Sequence, residues 1–483
     1  MIERDFCKTM NFVLLNVVKD LYIVEYQSNK ILRFAQKDNS LRFFKGLKTY
    51  FQHTTPNIMK KLIILSAFVF IAFSASAQGL IDIYKRGAVK LIPDTDYAQN
   101  NNWNTVFRSY YDTIYGAPMG NRKSLIVMPD GAILVNHRYR NYYSKFSPDG
   151  QFEQEFGVTN SQGKRFQKTE NIAGVLNEDI LFSKLDNMGN MVCTDLDGNY
   201  IKTLKLDYHA RQIIALPNKK IAVVGWVIWS DKFRDFVAIV DYETNEQSII
   251  WDYFTNRCNE AEHCDLFSYT YNFESEGSVS FSTMPYINNL GMSLPPRIAW
   301  LDNKLVVAIP TTGEILVYDI EGNQISKDKI DWAVSEISVE EQQEIQQKAI
   351  DKFKNRKSPR LAAWASPEEN RKANKVLIAE MEADLEKISK PIIIPYFSTI
   401  LQDSDDNLLF FEFPKEENSN KFNVWIYGNE GRFISQSSFV CDDYQLQINP
   451  SKMVFYKGYI YALQLKKNAS GVPLRLARFR LTN

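Results

Sequence analysis

The chain has 483 residues, with 57 basic and 57 acidic side chains. This length supplies apolar surface for a large core. The balanced charge argues against nucleic acid as a partner, because nucleic-acid binding depends on basic surface, and it gives no support for an anionic membrane surface either.

The first recognisable element is a secretory signal peptide over residues 59–77. A basic start at 59–61 precedes an apolar run at 62–73, and the small residues 75–77 form a cleavage site. A membrane span needs roughly 20 apolar residues, so this run is too short. The alternative is a buried core helix. We expect export to the periplasm or the cell exterior, with no membrane span in the processed chain.

A signal peptide acts at an N-terminus, so residues 1–58 are interpreted as translated upstream sequence and 78–483 as the exported domain. The first 77 residues hold 11 of the 57 basic and 5 of the 57 acidic side chains, which leaves the exported part a net charge of about −6. No cysteine follows the apolar run at the cleavage point, so a lipid anchor is not expected.

Two turn motifs alternate along the exported part. A polar turn before an apolar strand occurs six times: MPDGAILV (128–135), LNEDILFS (176–183), LPNKKIAVV (216–224), LDNKLVVAI (301–309), DSDDNLLFF (403–411) and FYKGYIYAL (455–463). A DG-like turn follows in five units: SPDGQF (147–152), DLDGNY (195–200), DYETNEQ (241–247), DIEGNQI (319–325) and GNEGRFI (428–434). Three pairs of turns lie 19 residues apart: Gly131 and Gly150, Asp179 and Gly198, Asn303 and Gly322.

This register predicts a unit of strand A, polar turn, strand B, variable loop, strand C, DG turn and strand D. Four-stranded units repeating at about 40–50 residues indicate an all-β fold, the β-propeller. Six first turns favour six blades. The last unit lacks a strand D, which residues 88–97 could supply to close the ring and protect its edges.

Two insertions interrupt the repeat. The first, at 253–295, contains SEGSVSFS (275–282), so an additional, seventh blade is the alternative there. The second, at 334–391, has capping boxes at 338–341 and 366–369 and an apolar stripe, and predicts a helical hairpin. We expect this hairpin to pack on the propeller within a monomer; a coiled-coil site for a partner is the alternative.

The first unit resembles an NHL-type repeat in VMPDGAILV (127–135) and NYYSKFSPDGQFEQEFG (141–157). The similarity is good over 124–157, fair over 173–205 and 298–325, and weak elsewhere. With the export signal, residues 78–483 resemble the exported six-bladed propellers of Bacteroidota. This resemblance implies the fold and carries no catalytic residues.

The cysteines and acidic turns offer little metal chemistry. Cys258 and Cys264 are close enough for a disulfide; free thiols or zinc with His263 are the alternatives, and zinc lacks further local ligands. The carboxylates of 403–407 alternate as in a calcium loop but lack the following glycine and glutamate. We interpret this segment, and 195–197, as blade turns. We identify no metal site and no cofactor; calcium is the alternative, although no motif supports it.

Strand direction predicts which face binds ligand. The A–B and C–D turns should lie on one face, and the long, irregular B–C loops and D–A connections should lie on the other. Binding and catalytic residues are more common on long loops of this kind. Two segments there, 136–141 and 225–235, carry aromatic and basic side chains suited to a polar ligand with a flat face. The candidate contacts are His137, Arg138, Tyr139, Arg140, Trp226, Trp229, Lys232 and Arg234.

The sequence contains no common catalytic motif. We therefore expect a non-enzymatic binding or scaffold protein for a carbohydrate, peptide or envelope protein. One alternative is a lyase or hydrolase acting on a sugar or lactone with a metal at the channel mouth, as some propellers do. Another is a subunit of a cell-envelope complex that docks through the helical hairpin.

Overall fold

The computed structural model describes residues 79–483 with the exception of some short segments. Short segments are excluded from the description: 115–116, 121, 138–139, 167–172, 186–188, 230–231, 257–266, 275–276, 284–293, 356–360, 363, 414–419, 429–430 and 483. The predicted signal peptide, residues 1–58, Cys258 and Cys264 therefore lie outside the described residues. In the described part, no helix combines the length and hydropathy needed to cross a membrane.

An irregular N-terminal segment precedes the first repeat. Its elements are α1 (Leu80–Lys85), β1 (Ala88–Pro93), α2 (Trp103–Val106), a 3-10 turn (Arg108–Tyr111), β2 (Thr113–Ile114) and β3 (Ala117–Pro118). After β1 the chain packs between two sheets, where Tyr97, Val106 and Phe107 are buried. This segment therefore contributes both a strand and part of the core.

Four of the repeat units form separate antiparallel sheets of four strands each, and the remaining units lie in a larger sheet described below. Sheet I has β4 (Lys123–Val127), β5 (Ile133–His137), β6 (Tyr143–Phe146) and β7 (Phe152–Phe156). Sheet II has β8 (Ala173–Leu176), β9 (Ile180–Lys184), β10 (Met191–Thr194) and β11 (Tyr200–Leu204). Sheet III has β12 (His209–Ala215), β13 (Lys220–Trp229), β14 (Lys232–Asp241) and β15 (Gln247–Asn256).

Between sheets III and IV lies the hairpin of β16 (Ser268–Asn272) and β17 (Ser278–Ser282). Sheet IV has β18 (Arg297–Leu301), β19 (Lys304–Ala308), β20 (Glu314–Tyr318) and β21 (Gln324–Lys329). The next elements are β22 (Glu336–Ile337), α3 (Val339–Lys354), α4 (Pro367–Leu385) and β23 (Ile392–Ile393).

Sheet V has nine strands because β1 joins two groups of strands. Its first group is β24 (Thr399–Gln402), β25 (Leu408–Phe411), β26 (Lys421–Tyr427) and β27 (Phe433–Val440). Its second group is β28 (Tyr444–Gln445), β29 (Met453–Tyr456), β30 (Tyr459–Lys466) and β31 (Leu474–Thr482). Strand β1 runs parallel to β27 and antiparallel to β31, which confirms the prediction that 88–97 supplies a missing strand.

The first strands of the units form a closed ring. Contacts run from β4 to β8, β12, β18, β24 and β29 in turn, and from β29 back to β4. Buried apolar side chains fill the spaces between neighbouring sheets; Phe182, Val223 and Val240, for example, lie between sheets II and III. The predicted β-propeller is thus confirmed.

The DG turns explain the regular spacing of the repeat. The carboxylate of Asp195 accepts hydrogen bonds from the backbone N–H groups of Asp197 and Asn199, and Asp319 caps its own turn in the same way. Gly198 and Gly322 both have φ of 88°, a left-handed conformation that glycine adopts without steric cost. Aspartate and glycine at these positions therefore fix the turn.

The two insertions pack on each other. Tyr269 of β16 donates a hydrogen bond of 2.8 Å to Asp384 of α4 and contacts Gln346 of α3. Both helices begin with the predicted capping boxes, at Ser338 and Ser366. The predicted helical hairpin is confirmed, and it packs largely on the β16–β17 hairpin. Strand β17 pairs with β16 in a two-stranded sheet.

Candidate functional site

The short turns share one face of the propeller. A Cβ atom on Gly131, in the A–B turn of sheet I, would lie 3.4 Å from Pro148 in the C–D turn of the same sheet. Tyr456, in the last A–B turn, donates a hydrogen bond to the carbonyl of Pro129, and Gly458 donates one of 3.2 Å to Ser404. The B–C loops and D–A connections therefore lie at the other ends of the strands, which we call the loop face.

The first group of predicted ligand contacts, residues 137–140, lies only partly in a loop. His137 is the last residue of β5 and not a loop residue, because it still pairs with Lys123 in the ladder. It is buried, stacks on Tyr142 with 4.0 Å between ring centroids, and has Nε2 2.9 Å from Ser144 Oγ. Arg140 donates a hydrogen bond of 2.7 Å to Asp112. Arg138 and Tyr139 lie outside the described residues.

His137 is uncharged near neutral pH. Burial holds its pKa well below the usual range, and the positive charges of Lys123, Arg108 and Lys452 lower it further. Within the described part of the chain its Nδ1 has no hydrogen-bond partner. His137 therefore lies near three positively charged side chains, which the sequence analysis did not anticipate.

The prediction of a long loop at 225–235 is wrong. Strands β13 and β14 continue through this segment and leave only 230–231 between them, with Trp229 paired to Lys232 in the ladder. The side chains of Trp229 and Lys232 lie outside the described part of the structure. The alternation of β-branched and aromatic residues in WVIW and KFRDFV favours strand here, and β-propensity outweighs the polar residues at the tip.

The two remaining predicted contacts are separated. Trp226 stacks on His209 with 4.4 Å between ring centroids and 18° between the planes, and the Arg211 guanidinium lies 5.2 Å from its ring centroid. Arg234 instead donates hydrogen bonds of 2.9 and 2.6 Å to Asp252 on β15. Trp226 on β13 therefore lies beside the start of β12, near the loop face. Arg234 on β14 instead forms an ion pair with the outer strand β15 of sheet III.

A cluster of basic side chains at the loop-face ends of the strands was missed. We call the first strands of the units, which contact one another around the ring, the inner strands. Lys123 and Arg297 begin the inner strands β4 and β18, and Lys452 immediately precedes β29. Arg211 is the third residue of β12, and Lys184 ends β9. We call these five residues the basic mouth. All come from strand ends on the same face, because every inner strand starts there and every strand B finishes there.

Two lysines of the basic mouth are deeply buried. Lys123 is 1% exposed and donates a hydrogen bond of 3.1 Å to the carbonyl of Gly120. Burial lowers its pKa to about 8, although Asp112 opposes that shift. Lys452 is 9% exposed; burial and then repulsion from Lys123 lower its pKa to about 7. The two ammonium groups are thus close enough to repel each other.

Two arginines form a second basic pair. Arg297 donates hydrogen bonds of 3.1 and 2.9 Å to the carbonyl of Ser398. Burial lowers its pKa to about 10, with a further contribution from Arg211. A guanidinium nitrogen of Arg211 lies 3.8 Å from a carboxylate oxygen of Asp235. Burial lowers the pKa of Arg211, although the Asp235 carboxylate opposes that shift. Both guanidinium groups remain charged at neutral pH.

A sequence signal for this cluster exists. A lysine or arginine stands directly before or at the start of the apolar A strand in KSLIV (123–127), RIAWL (297–301) and KMVFY (452–456). The repeat register places these positions at equivalent points of different units. The sequence analysis searched the loops, whereas the side chains come from the strand ends beside them.

The described acidic turns are structural. Asp403 accepts hydrogen bonds from the backbone of Asp405 and Asn407 and one of 2.9 Å from Tyr84, as expected for a blade turn. Among the residues that the structure describes, no three His, Cys, Asp or Glu side chains form a group that could hold a metal ion. Cys193 and Cys441 are free and buried.

No protein-family model and no curated protein matches this sequence. Solved structures with similar folds include a DUF4221 family member from Bacteroides vulgatus, at 10% identity over 83% of this chain and 100% of that chain, with a TM-score of 0.45. A putative exported protein from Bacteroides fragilis is 11% identical over 77% of this chain and 93% of that chain, with a TM-score of 0.40. A periplasmic gluconolactonase from Pseudomonas aeruginosa is 10% identical over 76% of this chain and 90% of that chain, with a TM-score of 0.33.

Proposed function

We propose that this chain is an exported, six-bladed binding propeller that holds an anionic ligand at its loop face. Six inner strands follow one another around the ring, and β1 completes the blade of β29, β30 and β31 while joining it to the preceding one. The six polar first turns in the sequence agree with this count. Binding without catalysis is the role we assign; the enzyme and envelope-subunit alternatives stay hypotheses.

The basic mouth is the observation that supports an anionic ligand. Burying a positive charge is unfavourable unless a counter-charge or hydrogen bonds compensate for the lost hydration. Five basic side chains gather at one face, where Lys123, Lys184 and Arg297 donate hydrogen bonds to backbone carbonyls. Asp235 lies beside Arg211, so basic side chains outnumber this carboxylate in the cluster. A bound anion would add a counter-charge to this cluster.

The candidate ligands from the sequence are a sugar, a peptide or a protein. The basic mouth favours those among them that carry carboxylate or phosphate groups, because arginine recognises both through its planar fork and lysine through its point charge. The aromatic pair of His209 and Trp226 lies beside Arg211 and extends this surface. An acidic sugar or acidic peptide fits this chemistry.

The test is calorimetric titration of the full chain with citrate at pH 6 and constant ionic strength. We expect binding by the wild type and a loss of about tenfold or more in affinity for Arg297→Gln. The control is Lys457→Gln, an exposed lysine in the turn between β29 and β30 on the opposite face, which should bind as the wild type does. Absence of heat and of thermal stabilisation with both citrate and inorganic phosphate would refute the proposal.

A further inference from the structure

We infer that the ligand carries at least two acidic groups, which bind at opposite sides of the basic mouth. This inference rests on the proposed function and adds the valence of the ligand. It follows from the order of the sheets around the ring and from the division of the basic mouth into two pairs.

The first pair, Lys123 and Lys452, lies where sheet I meets the second group of sheet V. A backbone hydrogen bond of 2.9 Å from the N–H of Leu125 to the carbonyl of Ser451 joins the two strand ends. The two ammonium groups repel each other strongly enough to affect the protonation of Lys452. One acidic group between them would relieve that repulsion.

The second pair, Arg211 and Arg297, lies where sheets III and IV meet. The Gln212 side chain fixes this junction, since it donates a hydrogen bond of 2.9 Å to the carbonyl of Ile298 and accepts one of 3.2 Å from the same residue's N–H. The side chain of Arg211 keeps 23% of its surface exposed, and Asp235 offsets one of the two positive charges of the pair. This pair is thus accessible from the loop face and held in a fixed position.

The two pairs are on opposite sides of the ring. Going from the lysine pair to the arginine pair, one passes sheet II in one direction and the first group of sheet V in the other. An anion with a single acidic group can neutralise only one pair. A ligand with two acidic groups joined by a spacer can contact both, and the second contact is then intramolecular, which raises the affinity.

The experiment uses dicarboxylates of increasing length, from malonate to azelate, each compared with the monocarboxylate of the same carbon number. Titrations use the full wild-type chain at pH 6 and constant ionic strength. We expect one or more dicarboxylates to bind about tenfold or more tightly than the matched monocarboxylate. This series requires no variant, so a folding defect cannot obscure the result.

Two double variants locate the contacts. The double variants Lys123→Gln/Lys452→Gln and Arg211→Gln/Arg297→Gln should each reduce dicarboxylate affinity to that of the matched monocarboxylate. The control Lys219→Gln/Lys457→Gln, in turns on the opposite face, should not. Equal affinity of every dicarboxylate and its monocarboxylate would overturn the inference and leave the proposed function standing. Absence of binding by every carboxylate and by citrate would overturn both.

Discussion

The buried lysine Lys452 makes a quantitative prediction about stability and pH. Its pKa falls from the ordinary 10.5 to about 7 on folding, so between these values the unfolded chain binds more protons than the folded chain. Stability therefore rises with pH in this window. For these two pKa values, the contribution of Lys452 to the free energy of unfolding increases by about 2 kcal/mol from pH 7 to pH 9.

The variant Lys452→Met removes that contribution. Urea unfolding followed by tryptophan fluorescence at pH 7, 8 and 9 should show a smaller gain in stability with pH than the wild type, by about 2 kcal/mol. Lys466→Met, at an exposed position, should keep the wild-type slope. Parallel pH profiles for wild type and Lys452→Met would show that Lys452 is not perturbed as described.

Three further predictions concern the fold. Val89→Asp in β1 buries an unpaired carboxylate where the wild-type side chain is fully buried, and should cost about 3 kcal/mol or more in urea unfolding, whereas exposed Lys90→Asp should cost far less. Ser366→Ala should cost about 1 kcal/mol and accelerate amide exchange at the start of α4 but not in sheet I. Gly189→Ala places a Cβ 1.9 Å from the Tyr208 carbonyl and should lower the melting temperature, whereas Gly163→Ala meets no atom within 4 Å. Unchanged stability in any first-named variant would contradict the corresponding contact.

Local chemistry determines the features that the sequence predicted. Aspartate and glycine specify the DG turns through hydrogen bonds and φ values within five residues, as at Asp319 and Gly322. Capping boxes are equally local, so the start of α4 at Pro367 could be located. The closing strand followed from counting strands per unit, because an unfilled position in the last unit needs a partner from elsewhere.

The features that sequence reasoning missed depend on distant residues meeting in space. Lys123 and Lys452 are more than 300 positions apart, and only ring closure brings them together. The packing of Tyr269 on Asp384 joins two insertions in the same way. The extension of β13 and β14 to Trp229 and Lys232 was local, yet polar residues at the hairpin tip favoured a loop interpretation.

The pairing of β1 with β31 has a consequence for the order of folding. Lys90 and Thr482 are partners in this sheet, so nearly the whole chain must be present before the final strand pair can form. Contacts between such distant positions have a high loop-closure entropy and slow the folding of β proteins. Until β31 has formed, strand β1 has an open hydrogen-bonding edge with which other chains can pair. If the chain is exported as proposed, strand β1 would therefore need protection until residues 474–482 have crossed the membrane.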